Sequence, residues 1–122
     1  MSDQAESGVR RNFLQMISIA PDHPALPGHF PGRPIVPGVV LLDQVLLAVL
    51  PALADGRTLL RSEIASAKFL SPVGPGETLQ LQTAVQSAGD VDTVRFEIAS
   101  TNEAAPRKIA SGSVKLHFAA RS

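Results

Sequence analysis

His29 and Asp43 place an imidazole and a carboxylate fourteen residues apart, in a stretch that holds little else able to carry a proton. An imidazole titrates near ~6.5 and suits proton abstraction at physiological pH. A carboxylic acid kept in an apolar setting retains its proton and can donate it to a leaving group. The pair therefore has the parts for proton abstraction followed by elimination, provided the chain brings both to one dry cleft. Asp43 is the only ionisable side chain between Arg33 and Asp55. His29 stands between Pro27-Gly28 and Phe30-Pro31, which restrict the backbone on both sides and preorganise the ring.

Two elements must position these groups. Pro21 to Pro37 contains six prolines and two glycines, a density that forbids helix and central strand and predicts a stiff, extended loop. Pro37 is then expected as the first residue of a helix running to about Leu50, ended or kinked at Pro51. Apolar residues occupy every face of that helix, so it is expected to be surrounded by protein, with Asp43 buried inside. Val36, the expected cap, has no side-chain acceptor, which leaves the N–H groups of Gly38 and Val39 free. Such a terminus suits a carbonyl oxygen that gains negative charge, and Gly38 lets it approach closely.

The rest of the chain reads as strands: Asn12 to Ala20, Thr58 to Leu70, Thr78 to Gln86, a run through Val94, Phe96 and Ile98, and Arg107 to Phe118. Ser87-Ala88-Gly89-Asp90 predicts a hairpin between the third and fourth. Ile109 is out of phase with Val114, Leu116 and Phe118, which predicts a bulge near Gly112. One buried helix plus about five strands joined mostly by hairpins predicts an α+β domain, an antiparallel sheet wrapped around a long central helix. Residues 1–11 are expected as a flexible tail and 12–118 as one domain.

Composition narrows the function classes. The 122 residues carry no net charge, 44% hydrophobic and 18% charged side chains, and no cysteine. Nothing in that balance argues for nucleic acid or an anionic membrane, and thiolate metal sites and disulfides are excluded. No apolar leader is visible and the run Val39 to Leu53 is shorter than the ~20 residues of a span, so a cytoplasmic protein without a membrane span is expected. No spacing recommends a metal site from Asp22, His23 and His29, so neither metal nor cofactor is expected. His23 reads as a loop residue and His117 as lying on the polar side of the last strand. Arg10, Arg11, Arg33, Arg57, Arg61 and Lys68 are candidates for a basic rim facing an acidic partner.

The stretch His29-Phe30-Pro31-Gly32-Arg33-Pro34-Ile35-Val36-Pro37-Gly38-Val39-Val40-Leu41-Leu42-Asp43 resembles the signature of the 3-hydroxyacyl-carrier-protein dehydratases, the FabA/FabZ group. Lys68 to Leu79 is similar to the strand-turn-strand segment that follows the central helix in these enzymes. The resemblance implies a hot-dog fold and dehydration of 3-hydroxyacyl thioesters. His29 would be the base, Asp43 the acid and Gly38, with Val39 beside it, the oxyanion donor. Phe30, Pro31 and Gly32 would shape the loop. It also implies an acyl carrier protein delivering a phosphopantetheine-linked chain, and a homodimer whose sites take His from one chain and the acid from the other. Three features depart from the pattern: Asp rather than Glu beside a FabZ-like loop, Leu47 where many members carry Gln, and no Tyr or Trp. They point to a divergent member serving a specialised acyl or aryl-polyene pathway. A non-catalytic acyl-binding subunit paired with an active homologue, and a thioesterase, are the alternatives.

Overall fold

The computed structural model describes residues 9–18, 37–74, 76–101 and 107–120. They form β1 (Val9–Ser18), α1 (Gly38–Ala54), β2 (Leu59–Phe69), β3 (Thr78–Ala88), β4 (Val91–Ser100) and β5 (Arg107–Phe118). The five strands make one sheet in the order β1-β3-β4-β5-β2, every pair antiparallel. β3 and β4 form the expected hairpin, with Ala88 opposite Val91 across a two-residue turn. β1 and β2 are the two edges, so the chain between them crosses the whole width of the sheet, and α1 lies within that crossing.

Alternation along β3 and β4 sorts the two faces. Leu79, Leu81, Val85, Val94, Phe96 and Ile98 are buried toward α1, while Gln82, Ala84, Arg95 and Glu97 are exposed on the outer face. Val45, Val49 and Leu53 complete this core from the helix side. The bulge in β5 falls at Ile109: Ile98 pairs with Ala110 and Ala99 with Lys108, leaving Ile109 unpaired. It lies three residues before the expected place and lets both Ile109 and Ala110 be buried. Gly112 marks something else. A second irregularity in β2, between Ile64 and Ser66, brings the Ser66 carbonyl and the Phe96 ring to where a Cβ at Gly112 would stand.

Helix α1 departs from its expected bounds at both ends. Pro37 is the cap rather than the first helical residue, in an extended conformation (φ −64, ψ 149). At the other end the helix runs through Pro51 to Ala54. Pro51 takes the place of a donor to the Leu47 carbonyl. Both residues lie on an exposed row, so the freed carbonyl lies on the helix's outer side rather than in the core. The helix stops where Asp55 adopts a left-handed conformation (φ 48). β1 likewise starts at Val9, three residues before Asn12, so residues 9–11 of the expected tail are strand, and residues 1–8 lie outside the described residues. A curved antiparallel sheet holding one long helix is the α+β, hot-dog arrangement that the sequence predicts.

Candidate active site

The N-terminus of α1 is open as expected. Pro37 offers no side-chain cap, and its carbonyl accepts from the N–H groups of Val40 (3.0 Å) and Leu41 (3.3 Å). The N–H groups of Gly38 and Val39 precede the first intrahelical bonds and have no acceptor among the described residues. Gly38 is closely covered: a Cβ built on it would stand 2.7 Å from Cζ of Phe69, at the end of β2. The missing side chain thus makes room for an aromatic ring from the sheet.

Asp43 is not buried inside its own chain. It is exposed, on a helix row with Val39 (71% exposed), Leu47 (60% exposed) and Pro51. Positions separated by four stack along one helix face, and this is the face turned from the sheet. The all-apolar pattern suggested cover on every side. Within one chain, however, the sheet covers only the opposite face. The apolar residues of this row therefore lie uncovered beside a carboxylate with no hydrogen-bond or ion-pair partner among the described residues.

An uncovered surface of the same kind continues on β2. That strand pairs only with β5 and is exposed along almost its whole length. By register, Ile64 lies opposite the buried Val114 and Phe69 opposite the buried Ala110, so both occupy the helix-side face of the sheet. They are nevertheless 56% and 50% exposed, and Leu60 near the start of the strand and Leu70 just after its end are also exposed. An eleven-residue edge with unpaired backbone groups and apolar side chains is a template for pairing with another strand. His29, Phe30, Pro31 and Gly32 lie outside the described residues, as do His23 and Arg33. The structure thus brings Gly38, Val39 and Asp43 together on one helix, and the expected pairing of Asp43 with His29 falls outside the described residues.

Sequence reasoning missed the side chains that hold α1 in place. Arg57, a candidate for the basic rim, is instead drawn inward. Its guanidinium donates to the carbonyls of Leu53 (2.7 Å) and Ala54 (3.3 Å), pairs with Asp92 of β4 at 2.9 Å and lies 3.9 Å from the Phe118 ring centre. It caps the helix C-terminus and ties it to the sheet. At mid-helix, Gln15 of β1 donates to the Ala48 carbonyl at 3.0 Å. The Asp55-Gly56 turn followed by an arginine hinted at the cap, but the Asp92 partner lies 35 residues away. The proposed rim fails for a further reason: Arg10 and Arg11 sit on β1 and Arg61 and Lys68 on β2, at opposite edges of the sheet.

Other polar groups serve the frame. The Glu77 carboxylate accepts from Gly74 N–H (3.0 Å), Ser100 hydroxyl (3.0 Å) and Arg107 (3.1 Å), fixing the β2–β3 turn to the base of β4 and β5. Burial alone would raise its carboxyl, but these donors together outweigh burial and hold it below the ordinary value of 4.5. His117 lies 3.2 Å from Glu63, on the polar side of β5 as expected. A groove of about 660 Å³ crosses the outer face of the sheet past Asn12, Gln82, Arg95 and Ser111. It is on the opposite side from α1 and takes no part in the candidate site. Among the described residues no helix is long and apolar enough to cross a membrane.

Comparison with known proteins agrees with this frame. The chain is 42% identical over 72 residues to the 3-hydroxyacyl-[acyl-carrier-protein] dehydratase FabZ of Wolbachia sp. subsp. Drosophila simulans, covering 54% of this chain and 50% of that one. It is 32% identical over 92 residues to the FabZ of Syntrophotalea carbinolica, 70% of this chain and 61% of that one. It therefore spans only half to three fifths of the length of these relatives. Among solved structures, the dehydratase heterocomplex ApeI:P from Xenorhabdus doucetiae matches at a TM-score of 0.65 and 25% identity, over 89% of this chain and 94% of that one. The fluoroacetyl-CoA-specific thioesterase FlK matches at a TM-score of 0.67 but only 16% identity, over 91% and 94%, and shares the fold alone. Residues 6–113 match the ApeI-like family, described as ApeI dehydratase. The chain belongs to the ApeI-like dehydratase family.

Proposed function

We propose that this chain removes water from 3-hydroxyacyl thioesters to give 2-enoyl thioesters. His29 takes the α-proton while the N–H groups of Gly38 and Val39 hold the thioester oxygen as it gains enolate charge. Asp43, protonated, gives its proton to the departing 3-hydroxyl, so that C–H and C–O bonds become a C=C bond and water. The observation that carries this reading is a lone carboxylate, fourteen residues after His29, displayed one turn from an uncapped helix N-terminus. Phe30, Pro31 and Gly32 shape the loop that carries the histidine, and no metal or redox cofactor takes part in this scheme.

The exposure of Asp43 supports a site shared between two chains. Two copies pairing along β2 would cover Ile64, Phe69, Val39 and Leu47 and would dry the carboxylate without any change in its own chain. His29 of one copy would then meet Asp43 of the other in a cytoplasmic homodimer. The substrate is proposed to arrive on the phosphopantetheine arm of an acyl carrier protein, as the names of the FabZ relatives suggest. Incubation with 3-hydroxyacyl thioesters of several lengths, on carrier protein and on coenzyme A, with enoyl absorbance as readout, tests the reading. Turnover that vanishes in His29→Ala is expected; no turnover on any substrate refutes it.

A second reading keeps the surface and changes the partner. The Xenorhabdus neighbour is a heterocomplex by name, and the same β2 edge could pair with a related but different hot-dog chain that contributes the histidine. Activity appearing only on mixing with such a homologue would favour it over the homodimer. Hydrolysis on the same fold, as in the fluoroacetyl-CoA thioesterase, would be revealed by release of free thiol.

A further inference from the structure

Phe69 has no place in the scheme above, yet it touches the residue proposed to hold the substrate oxygen. Its Cζ, Cε1 and Cε2 atoms lie 2.7, 2.8 and 3.0 Å from where a Cβ on Gly38 would be. Real Cβ atoms do not come so close, so position 38 must be glycine as long as the ring stays. The backbone that carries the ring is fixed: Phe69 pairs with Ala110, and the next two N–H groups, of Leu70 and Ser71, both donate to the Ile109 carbonyl at 2.7 and 3.3 Å. Half of its surface is exposed, so one edge fills the hollow at Gly38 and the remainder faces open space.

Helical Cα–Cβ bonds tilt toward the N-terminus. A ring standing in place of that Cβ therefore borders the opening of α1 at which the Gly38 and Val39 N–H groups lie. A thioester oxygen held by those groups brings both neighbours of its carbonyl carbon into reach. With the sulfur leading out to a carrier in solvent, as the dehydratase reading has it, the acyl side would be the one that faces the sheet, and Phe69 with it.

Resting on the dehydratase reading, we propose that Phe69 is a specificity-determining residue. Its ring leaves room for a CH2 group at the α-carbon and excludes an α-methyl branch, which restricts the enzyme to straight-chain 3-hydroxyacyl thioesters at that position. A 2-methyl-3-hydroxyacyl thioester still carries the one α-proton that elimination needs, so its rejection would be steric and not chemical.

The test compares kcat/KM for a 3-hydroxyacyl thioester and its 2-methyl counterpart of equal length in wild type, Phe69→Ala and the gentler Phe69→Leu. One carbon in an apolar pocket changes discrimination by roughly 10–200-fold. The branched-to-linear ratio is expected to rise at least ~10-fold in Phe69→Ala and by less in Phe69→Leu. Gly38→Ala should depress turnover of the linear substrate, and adding Phe69→Ala to it should restore a large part, a rescue that loss of packing alone would not give. Normal wild-type turnover of the linear substrate with an unchanged ratio in both folded variants, or absence of the rescue, overturns the role of Phe69 alone. Absence of wild-type turnover on linear substrates overturns the dehydratase reading and this inference together.

Discussion

Replacing Asp43 by Asn separates catalysis from stability, because its proposed role and its exposed position give the two very different magnitudes. The substitution keeps shape and volume and removes only the transferable proton and the charge. Within one chain the carboxylate is exposed on the outer row of α1 with no partner among the described residues. A surface change of that kind shifts stability by at most about 0.5 kcal/mol. For a domain of this size that is roughly 2 °C in melting temperature. If a second chain covers the row, the neutral amide is easier to desolvate than the acid, so the dimer should be no weaker. Turnover should respond quite differently. Loss of a general acid removes ~10²-fold or more, about 2.7 kcal/mol of transition-state stabilisation. Melting temperature, sedimentation and enoyl formation measured on one preparation give the three numbers. A folded, dimeric Asp43→Asn protein with near wild-type turnover would refute the assignment. A large fall in melting temperature with a normal rate would make Asp43 structural, against its exposure.

Arg57→Ala should be among the most damaging single changes outside the site. It leaves Asp92 fully buried without its cation, an effect of about 3–5 kcal/mol, and should lower the melting temperature by roughly 10–20 °C in a thermal scan. Ile64→Lys, on a strand exposed in the single chain, should keep the circular dichroism of the fold while sedimentation shows a monomer and turnover is lost with the dimer; an active monomer would refute the shared site. Glu77 has a carboxyl held below 4.5 in the folded chain, so its contribution to stability is complete above that value and is lost as pH falls through the lowered one. Glu77→Gln should therefore lose less melting temperature than wild type on acidification below 4.5, and parallel curves would remove Glu77 from the acid response.

Much of the fold was legible because the sheet imposes a period of two. Leu79, Leu81 and Val85, with Val94, Phe96 and Ile98, announce which face meets the helix, and the structure buries those residues. The disrupted phase at Ile109 also announced a bulge, though not its position, because Gly112 drew the eye for a reason of its own: the close approach of the Ser66 carbonyl. Pro51 misled the reading of the helix end. A proline removes the donor to the carbonyl four residues back and crowds it, and here that carbonyl, of Leu47, lies on the exposed row.

The candidate site was legible as residue types and not as surroundings. The spacing of His29 and Asp43 and the bare cap before Gly38 are local facts that a sequence displays. Burial is set by what is packed across space, and an all-apolar helix says only that something covers each face. The sheet covers one face of α1, Gln15 and Arg57 clamp it there at mid-helix and at its C-terminus, and the Val39-Asp43-Leu47 row is left uncovered. The pattern that suggested a helix buried by its own fold belongs instead to a helix with two apolar faces, one packed on the sheet and one open in the single chain, which the proposed partner would cover. In the proposed dimer the apolar residues around Asp43 would serve association and catalysis at once. In the proposed shared site, the carboxylate between Val39 and Leu47 would stand in the dry cleft that proton donation needs only when a second chain closes over it.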